Sequence, residues 1–330
     1  MSLTRVPVFL HLLADSTLRP GAVVLRCMDS TPDTWEALTA MMQHPDFASM
    51  PTLLPWMMAA AQADALPPPL WLALQQKGCQ RLEDASWVRS DALTKPVLPP
   101  SALWLDGDWF LAPPSKPSGS RSSSRTLALK LVQLVVADAD TRDIEDVFRQ
   151  DPALSYHLLR LVNSVGMGSN RKISSFSQAI LILGRQQLRR WLNLMLFSAS
   201  SDDYRSAMLL ARVTLRSRML ELLAKQIGLD KSHQELAFMA GMFSMLGVLF
   251  GTALVDVFKP LQLNEILVAA VLQHEGELGH LLLLLEGYER QDASSVLGWL
   301  TDLNLAGGDL NDISLEACHW MLGICQEQKG

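Results

Sequence analysis

The residues able to bind a metal or attack an ester are few and scattered. His274-Glu275-Gly276-Glu277-Leu278-Gly279-His280 is a stretch where two histidines and two glutamates gather. Such a set could hold a zinc ion and activate water, but the spacing argues against it. A zinc-protease helix carries its histidines at i and i+4 on one face, whereas a separation of six turns them roughly 120° apart, and two glycines weaken the helix. The stretch reads as a solvated helix junction. His157, His233 and His319 each stand alone and read as packing or surface residues. Cys27, Cys79, Cys318 and Cys325 show no paired CxxC spacing, so neither a zinc knuckle nor a disulfide framework is indicated. If Cys318 and Cys325 share a helix, they lie about 10 Å apart along it, too far for a bridge. No serine or cysteine has a recognisable nucleophile setting, and no glycine-rich loop cradles phosphate. These residues imply no cofactor and no metal.

Charge is the other chemical signal. The net charge is −6, yet His157 to Lys225 holds eleven Lys or Arg against three Asp or Glu, a balance of +8, and Gln226 to Gly330 holds four against fourteen, or −10. One reading is a dipolar surface whose halves face each other. The other is that Arg185, Arg189, Arg190, Arg212, Arg216 and Arg218 border a site for an anion, whether an acidic partner protein, a nucleotide or nucleic acid. The basic stretch lacks interleaved exposed aromatics, which argues against a single-strand binding platform.

The elements that would position these groups divide the chain in two. Residues 1 to 120 hold fifteen of the seventeen prolines and six of the nine tryptophans, a density that long helices do not tolerate. Val23-Val24-Leu25 and the segments from Trp104-Leu105 to Trp109-Phe110-Leu111 read as short strands, and Asp33 to Gln43 and Leu70 to Lys77 as helices. This is an α/β region over 1–114, followed by a flexible linker at 115–126, where the serine, proline and glycine run lacks apolar residues to offset the entropy of ordering.

From 127 to 330 periodic apolar segments alternate with short polar joints, and only Pro152 and Pro260 interrupt, which predicts an all-helical domain. Its start and stop signals are densest from Asp140 to Trp191. Asp151 followed by Pro152 caps a helix with the seam Leu154, Leu158 and Leu161, and Ser175 with Gln178 makes a capping box. Ser206 to Ile227 predicts a long helix ended by Gly228. Further helices are expected over Glu235 to Val255, Leu263 to His274, Leu278 to Tyr288, Ala293 to Leu303 and Ile313 to Cys325. Leu236 to Val255 is twenty residues without a charge, long enough to span a bilayer, but it lacks a one-sided basic flank and reads as a buried central helix.

The runs DPALSYHLLRLVNS, ISSFSQAILILG and LRRW, with AFMAGMFSMLG, EGELGHLLLLLEGYERQD and ISLEACHWM further on, resemble the HDOD family, catalytically silent relatives of HD-type phosphohydrolases found in bacterial signalling proteins. The resemblance covers residues 127 to 322 and is closest to the HDOD half of EAL-HDOD proteins, whose first half is a barrel related to cyclic diguanylate phosphodiesterases. WFLAPP at Trp109 to Pro114 resembles the strand that ends such a barrel, and Leu72 to Ala85 is a fainter likeness. Glu36-Ala37-Leu38 sits at helical spacing, where the catalytic motif would need a strand. The first half has roughly half the residues of a complete barrel. The resemblance therefore implies a mainly α protein, a helical HDOD domain preceded by a truncated, degenerate EAL-like α/β region.

HD phosphohydrolases hold metals through separated histidines and an adjacent His-Asp pair. On the resembling motif those two positions are Ser244 and Met245, and the upstream histidine falls at Arg216 or a neighbour, so metal-dependent hydrolysis is not expected. The expected function is a non-catalytic, cytoplasmic signal-transduction regulator that binds protein partners through its HDOD domain, without membrane insertion. Arg160, Asn163, Ser164 and Arg185 are the matched polar motif residues, and Arg189, Arg190 and Arg216 the basic ones, that would meet a partner or ligand. Alternatives are a cyclic diguanylate receptor or residual phosphodiesterase working through the first half, and a nucleic-acid-binding regulator using the basic segment 157–225.

Overall fold

A computed structural model describes residues 6–114, 203–261 and 263–326, with scattered positions between 130 and 197, among them Ile144, Val147, Arg190, Leu194 and Phe197. The stretch from Asp140 to Trp191 and the linker at 115–126 lie almost wholly outside the described residues.

The first half is built on a six-stranded mixed sheet. Its strands are β1 (Phe9–Ala14), β2 (Pro20–Arg26), β3 (Trp56–Ala59), β4 (Cys79–Leu82), β5 (Trp87–Arg89) and β6 (Trp104–Asp106), in the order β4-β3-β2-β1-β6-β5. β1 runs antiparallel to both β2 and β6, whereas β2, β3 and β4 are mutually parallel, as are β5 and β6. Helices α1 (Pro32–Met41), α2 (Pro45–Ser49), α3 (Ala60–Ala65) and α4 (Pro68–Gln76) connect the strands.

This corrects the expected fold class. The chain is not mainly α with a barrel relic: it joins a helical part to a mixed sheet, and no EAL-like barrel is formed. A barrel of that type closes eight parallel strands, while here the antiparallel β1 stands at the centre of six. Trp109–Leu111, expected as a strand, is a single 3-10 turn, and Glu36, Ala37 and Leu38 lie within α1.

Sequence reading missed β1, β3 and β5 because their residues do not alternate. β3 is buried on both faces: Trp56 and Met58 enter the main core, while Met57 joins Leu13, Ala22, Val24 and Leu82 in a second cluster flanked by Trp87 and Trp104. A strand covered on both sides shows no polar face to set its period.

The second half is helical among its described residues: α5 (Ser206–Gln226), α6 (Lys231–Phe243), α7 (Leu246–Phe250), α8 (Leu254–Phe258), α9 (Glu265–Gln273), α10 (Gly276–Glu289), α11 (Ala293–Asp302) and α12 (Gly307–Gln326). Side-chain caps fix several starts, since Asp230 accepts from the His233 N–H at 2.9 Å and Asn264 from the Ile266 N–H at 2.8 Å. Gly228, at φ 86°, ends α5 as the sequence predicts. The apolar run Leu236 to Val255 is divided among α6, α7 and α8, so it is not one helix. Glu265–Glu289 is a stretch long and apolar enough to cross a membrane, and His274, in a left-handed conformation, breaks it into α9 and α10.

α5 is the central helix, lying against α6, α10 and α12. Its crossing with α6 is close because Gly241 has no side chain: a Cβ there would stand 2.6 Å from the Ser217 Cα. Sheet and helices share one hydrophobic core, in which Phe9, Val23 and Phe110 belong to the same cluster as Leu209, Leu281 and Leu315. β6 pairs with β1 only at Ala14 and Leu105, so on the edge of β1 that faces away from β2 the earlier N–H groups lack a strand partner. The helices supply them: Val8 N–H donates to Asn311 Oδ1 and Leu10 N–H to Tyr288 Oη, each at 2.8 Å.

Candidate functional site

Two polar clusters meet where the sheet rests on α5 and α10. The first surrounds Ser244 and Met245, which the sequence resemblance sets against the HD pair. Ser244 caps the end of α6, and its hydroxyl donates to the Gly241 carbonyl at 2.8 Å while accepting from Arg216 Nη1 at 2.8 Å. Arg216 Nε donates to Glu289 Oε1 at 2.8 Å, and its Nη2 also binds that carboxylate. Arg212 Nη1 reaches Glu289 Oε2 at 3.2 Å, and its guanidinium lies 5.2 Å from the Phe110 ring and 3.7 Å from Asp108. Met245 is buried among apolar neighbours.

Burial opposes charge on Arg216 and on Glu289, but their mutual attraction outweighs it. The guanidinium is held above its ordinary range, and the carboxyl below its own. The cluster thus places a permanent cation beside Ser244, with a carboxylate engaged on it. Serine, methionine and arginine are not a donor set for a divalent metal, and among the described residues no three His, Cys, Asp or Glu side chains converge on one point.

The second cluster is a closed ring of four side chains. Arg26 can only donate, so its Nη1 faces Gln291 Oε1, at 2.9 Å. That leaves Gln291 Nε2 to donate to His11 Nδ1, at 3.0 Å, and His11 Nε2 to donate to Asp106 Oδ1. Arg26 Nη2 closes the ring on Asp106 Oδ2 at 2.7 Å. Three members come from β1, β2 and β6, whereas Gln291 follows α10. Burial lowers the His11 pKa below its ordinary value by more than Asp106 restores. Burial also works against the Asp106 charge, but the hydrogen bond and field of His11, with those of Arg26, hold the carboxyl well below its usual range. Between the two clusters lies a cavity of about 20 Å³ bordered by His11, Arg212, Glu289 and Gln291, room for a single water-sized molecule.

Described arginines of the basic segment pair with carboxylates of the same chain. Arg190 donates to Glu221 at 2.7 Å and to Glu235 at 2.8 Å, with its guanidinium 4.5 Å from the Phe238 ring. Arg218 binds Glu221 and Glu316 at 2.6 and 2.5 Å. For Arg190, Arg212, Arg216 and Arg218 the anionic partner is therefore within the chain. Arg160, Asn163, Ser164, Arg185 and Arg189 lie outside the described residues, as does His157.

His274 ends α9 and stands 3.4 Å from Glu286, while His280 stacks on Trp299 at 5.1 Å, so the two histidines do not converge. All four cysteines are free, and burial pushes the thiols of Cys27, Cys79 and Cys325 up to about 12, which keeps them protonated and unreactive. Sequence reading singled out Arg216 as a candidate partner or ligand contact and Ser244 as a lost ligand position, and passed over His11, Arg26, Asp106 and Gln291. Their only local signal is polar residues within otherwise apolar strands.

Comparison with known proteins assigns the helical part. Residues 125–262 match the HDOD domain and constitute one. The chain is 33% identical over 205 residues to the cyclic di-GMP phosphodiesterase CdgJ of Vibrio cholerae, a match spanning 62% of this chain and 47% of that protein. It is 26% identical over 194 residues to the uncharacterized protein YuxH of Bacillus subtilis, spanning 58% and 46%. The matches cover about half the length of these curated relatives. Among solved structures, a candidate phosphohydrolase from Shewanella amazonensis SB2B superposes with a TM-score of 0.42 at 17% identity, covering 61% of this chain and 93% of that one. An HDOD domain protein from Geobacter sulfurreducens gives 0.35 at 19% identity, over 49% and 70%.

Proposed function

We propose that this protein is a non-catalytic signalling regulator of the cytoplasm whose HDOD domain acts by binding partner proteins. The observation that carries this reading is the contact between Arg216 and Ser244. A fixed guanidinium, held by Glu289, stands beside the position where an HD hydrolase would carry a metal ligand. Two cations do not share such a space without strong repulsion, and Ser244 and Met245 supply no ligands in place of the missing pair. Without such ligands, the chemistry that this helical part supports best is recognition.

A second reading is that the chain binds or cleaves cyclic di-GMP, and the name of the CdgJ relative favours it. Calorimetric titration of the full chain with cyclic di-GMP, in magnesium or manganese and with the ligand analysed afterwards, separates the two. No heat and an intact ligand are expected. Saturable heat would make the protein a nucleotide receptor, and metal-dependent cleavage would end the non-catalytic reading.

A further inference from the structure

The turn that follows α10 is built against the preference of its own backbone. Gln291 N–H donates to the Tyr288 carbonyl at 3.0 Å and Asp292 N–H to the Gly287 carbonyl at 2.9 Å, the paired bonds of a Schellman ending. That motif needs a left-handed residue at the position occupied by Gln291, where φ is 58°. Glycine is favoured there, since a side chain crowds the following carbonyl. A strained residue persists only where its surroundings over-determine it. Here the surroundings are the sheet: both polar ends of the Gln291 amide are used, Oε1 by Arg26 and Nε2 by His11.

The same turn sets Glu289. It is the last residue of α10, two positions before Gln291, and its carboxylate holds Arg216 against Ser244. The two clusters are thus joined through the short backbone step from Glu289 to Gln291, whose amide is held by the other half of the chain.

We propose that Gln291 is a conformational coupler: the sheet-side ring holds the turn left-handed, and the turn in turn holds the Glu289–Arg216–Ser244 cluster, so that loosening the ring at Arg26 or His11 releases Ser244. This goes beyond the regulator reading above and does not depend on it. The bistable element is the turn, with one state locked by the Arg26 and His11 bonds and the other relaxed, free of the left-handed crowding.

Hydrogen exchange measured by mass spectrometry on the full chain tests it, comparing the native protein with Gln291→Ala, Gln291→Gly and Arg26→Lys. Alanine deletes the amide and keeps the left-handed crowding, so the turn loses what holds it, whereas glycine deletes the amide but adopts the left-handed turn unaided. Exchange around Ser244 (residues 241–248) and around β1 should each rise at least tenfold in Gln291→Ala, with the interior of α12 unchanged, while in Gln291→Gly the rise should be confined to β1. Native protection around Ser244 in the alanine variant, or equal loss there in the alanine and glycine variants, overturns the proposal. Arg26→Lys keeps the charge but loses the two-pronged geometry, and serves if the alanine variant is too unstable. There, faster exchange at both segments supports coupling, and an effect confined to the sheet, or none at all, refutes it.

Discussion

Gln291 Nε2 lies 3.0 Å from His11 Nδ1, a hydrogen bond between residues 280 positions apart that ties the helical part to the central strand of the sheet. Because Gln291 donates, His11 must accept there, and so it carries its single proton on Nε2, facing Asp106. The ring is wired for a neutral imidazole, and this has a consequence for pH.

Burial lowers the His11 pKa from its ordinary 6.5, so the unfolded chain takes up a proton at this residue before the folded protein does. Stability is full above about 6.5 and falls as pH is lowered toward the native pKa. Asp106 and Glu289 shift the other way: both are held below their ordinary 3.8 and 4.5, so their contribution persists through this window and is lost only in stronger acid. Urea unfolding at pH 7 and pH 5 should show a loss in the native protein that His11→Gln reduces. An identical loss in both proteins would mean that His11 does not titrate as described.

Glu289 stands between two guanidinium groups, with Arg216 buried. Glu289→Ala leaves buried positive charge uncompensated and should cost roughly 3–5 kcal/mol, whereas replacing Arg216 and Glu289 together by Met and Leu should cost far less or stabilise. Denaturant midpoints of the single and double variants check this. A double variant as unstable as the single would show that packing, not the uncompensated charge, sets the loss.

Tyr288 supplies the acceptor for the Leu10 N–H, which no strand partner reaches. Tyr288→Phe should lower stability by about 1–3 kcal/mol through the unpaired N–H. The amide of Leu10 should lose exchange protection in the same variant, and a Leu10 amide still fully protected would show another acceptor at that edge.

Two helical glycines should respond oppositely to alanine. At Gly241 the added methyl would meet the Ser217 backbone at 2.6 Å and force α5 and α6 apart, costing roughly 1–3 kcal/mol or more. At Gly298 nothing lies within 4 Å, and alanine should raise stability by about 0.5–1 kcal/mol through helix propensity. Thermal melts of the two variants decide this; a stabilised Gly241→Ala would disprove the close crossing.

Most described helices of the second half and the opposed charges of its two segments are legible in the sequence, although the run from Glu235 to Val255 reads as one helix and folds as three. α5 ends at Gln226 against an expected Ile227, and α11 at Asp302 against Leu303, because seams, caps and the stop at Gly228 are written within a few residues of where they act.

The six-stranded sheet, the pairing of Arg216 with Glu289 and the ring through Gln291 emerge only on folding. Strands buried on both faces, such as β3, leave no alternation to read. The partners of His11 and Arg26 lie from 80 to 280 positions away, beyond any local period. A left-handed glutamine is invisible in sequence as well, since what holds it there is not its neighbours in the chain but the sheet folded against them.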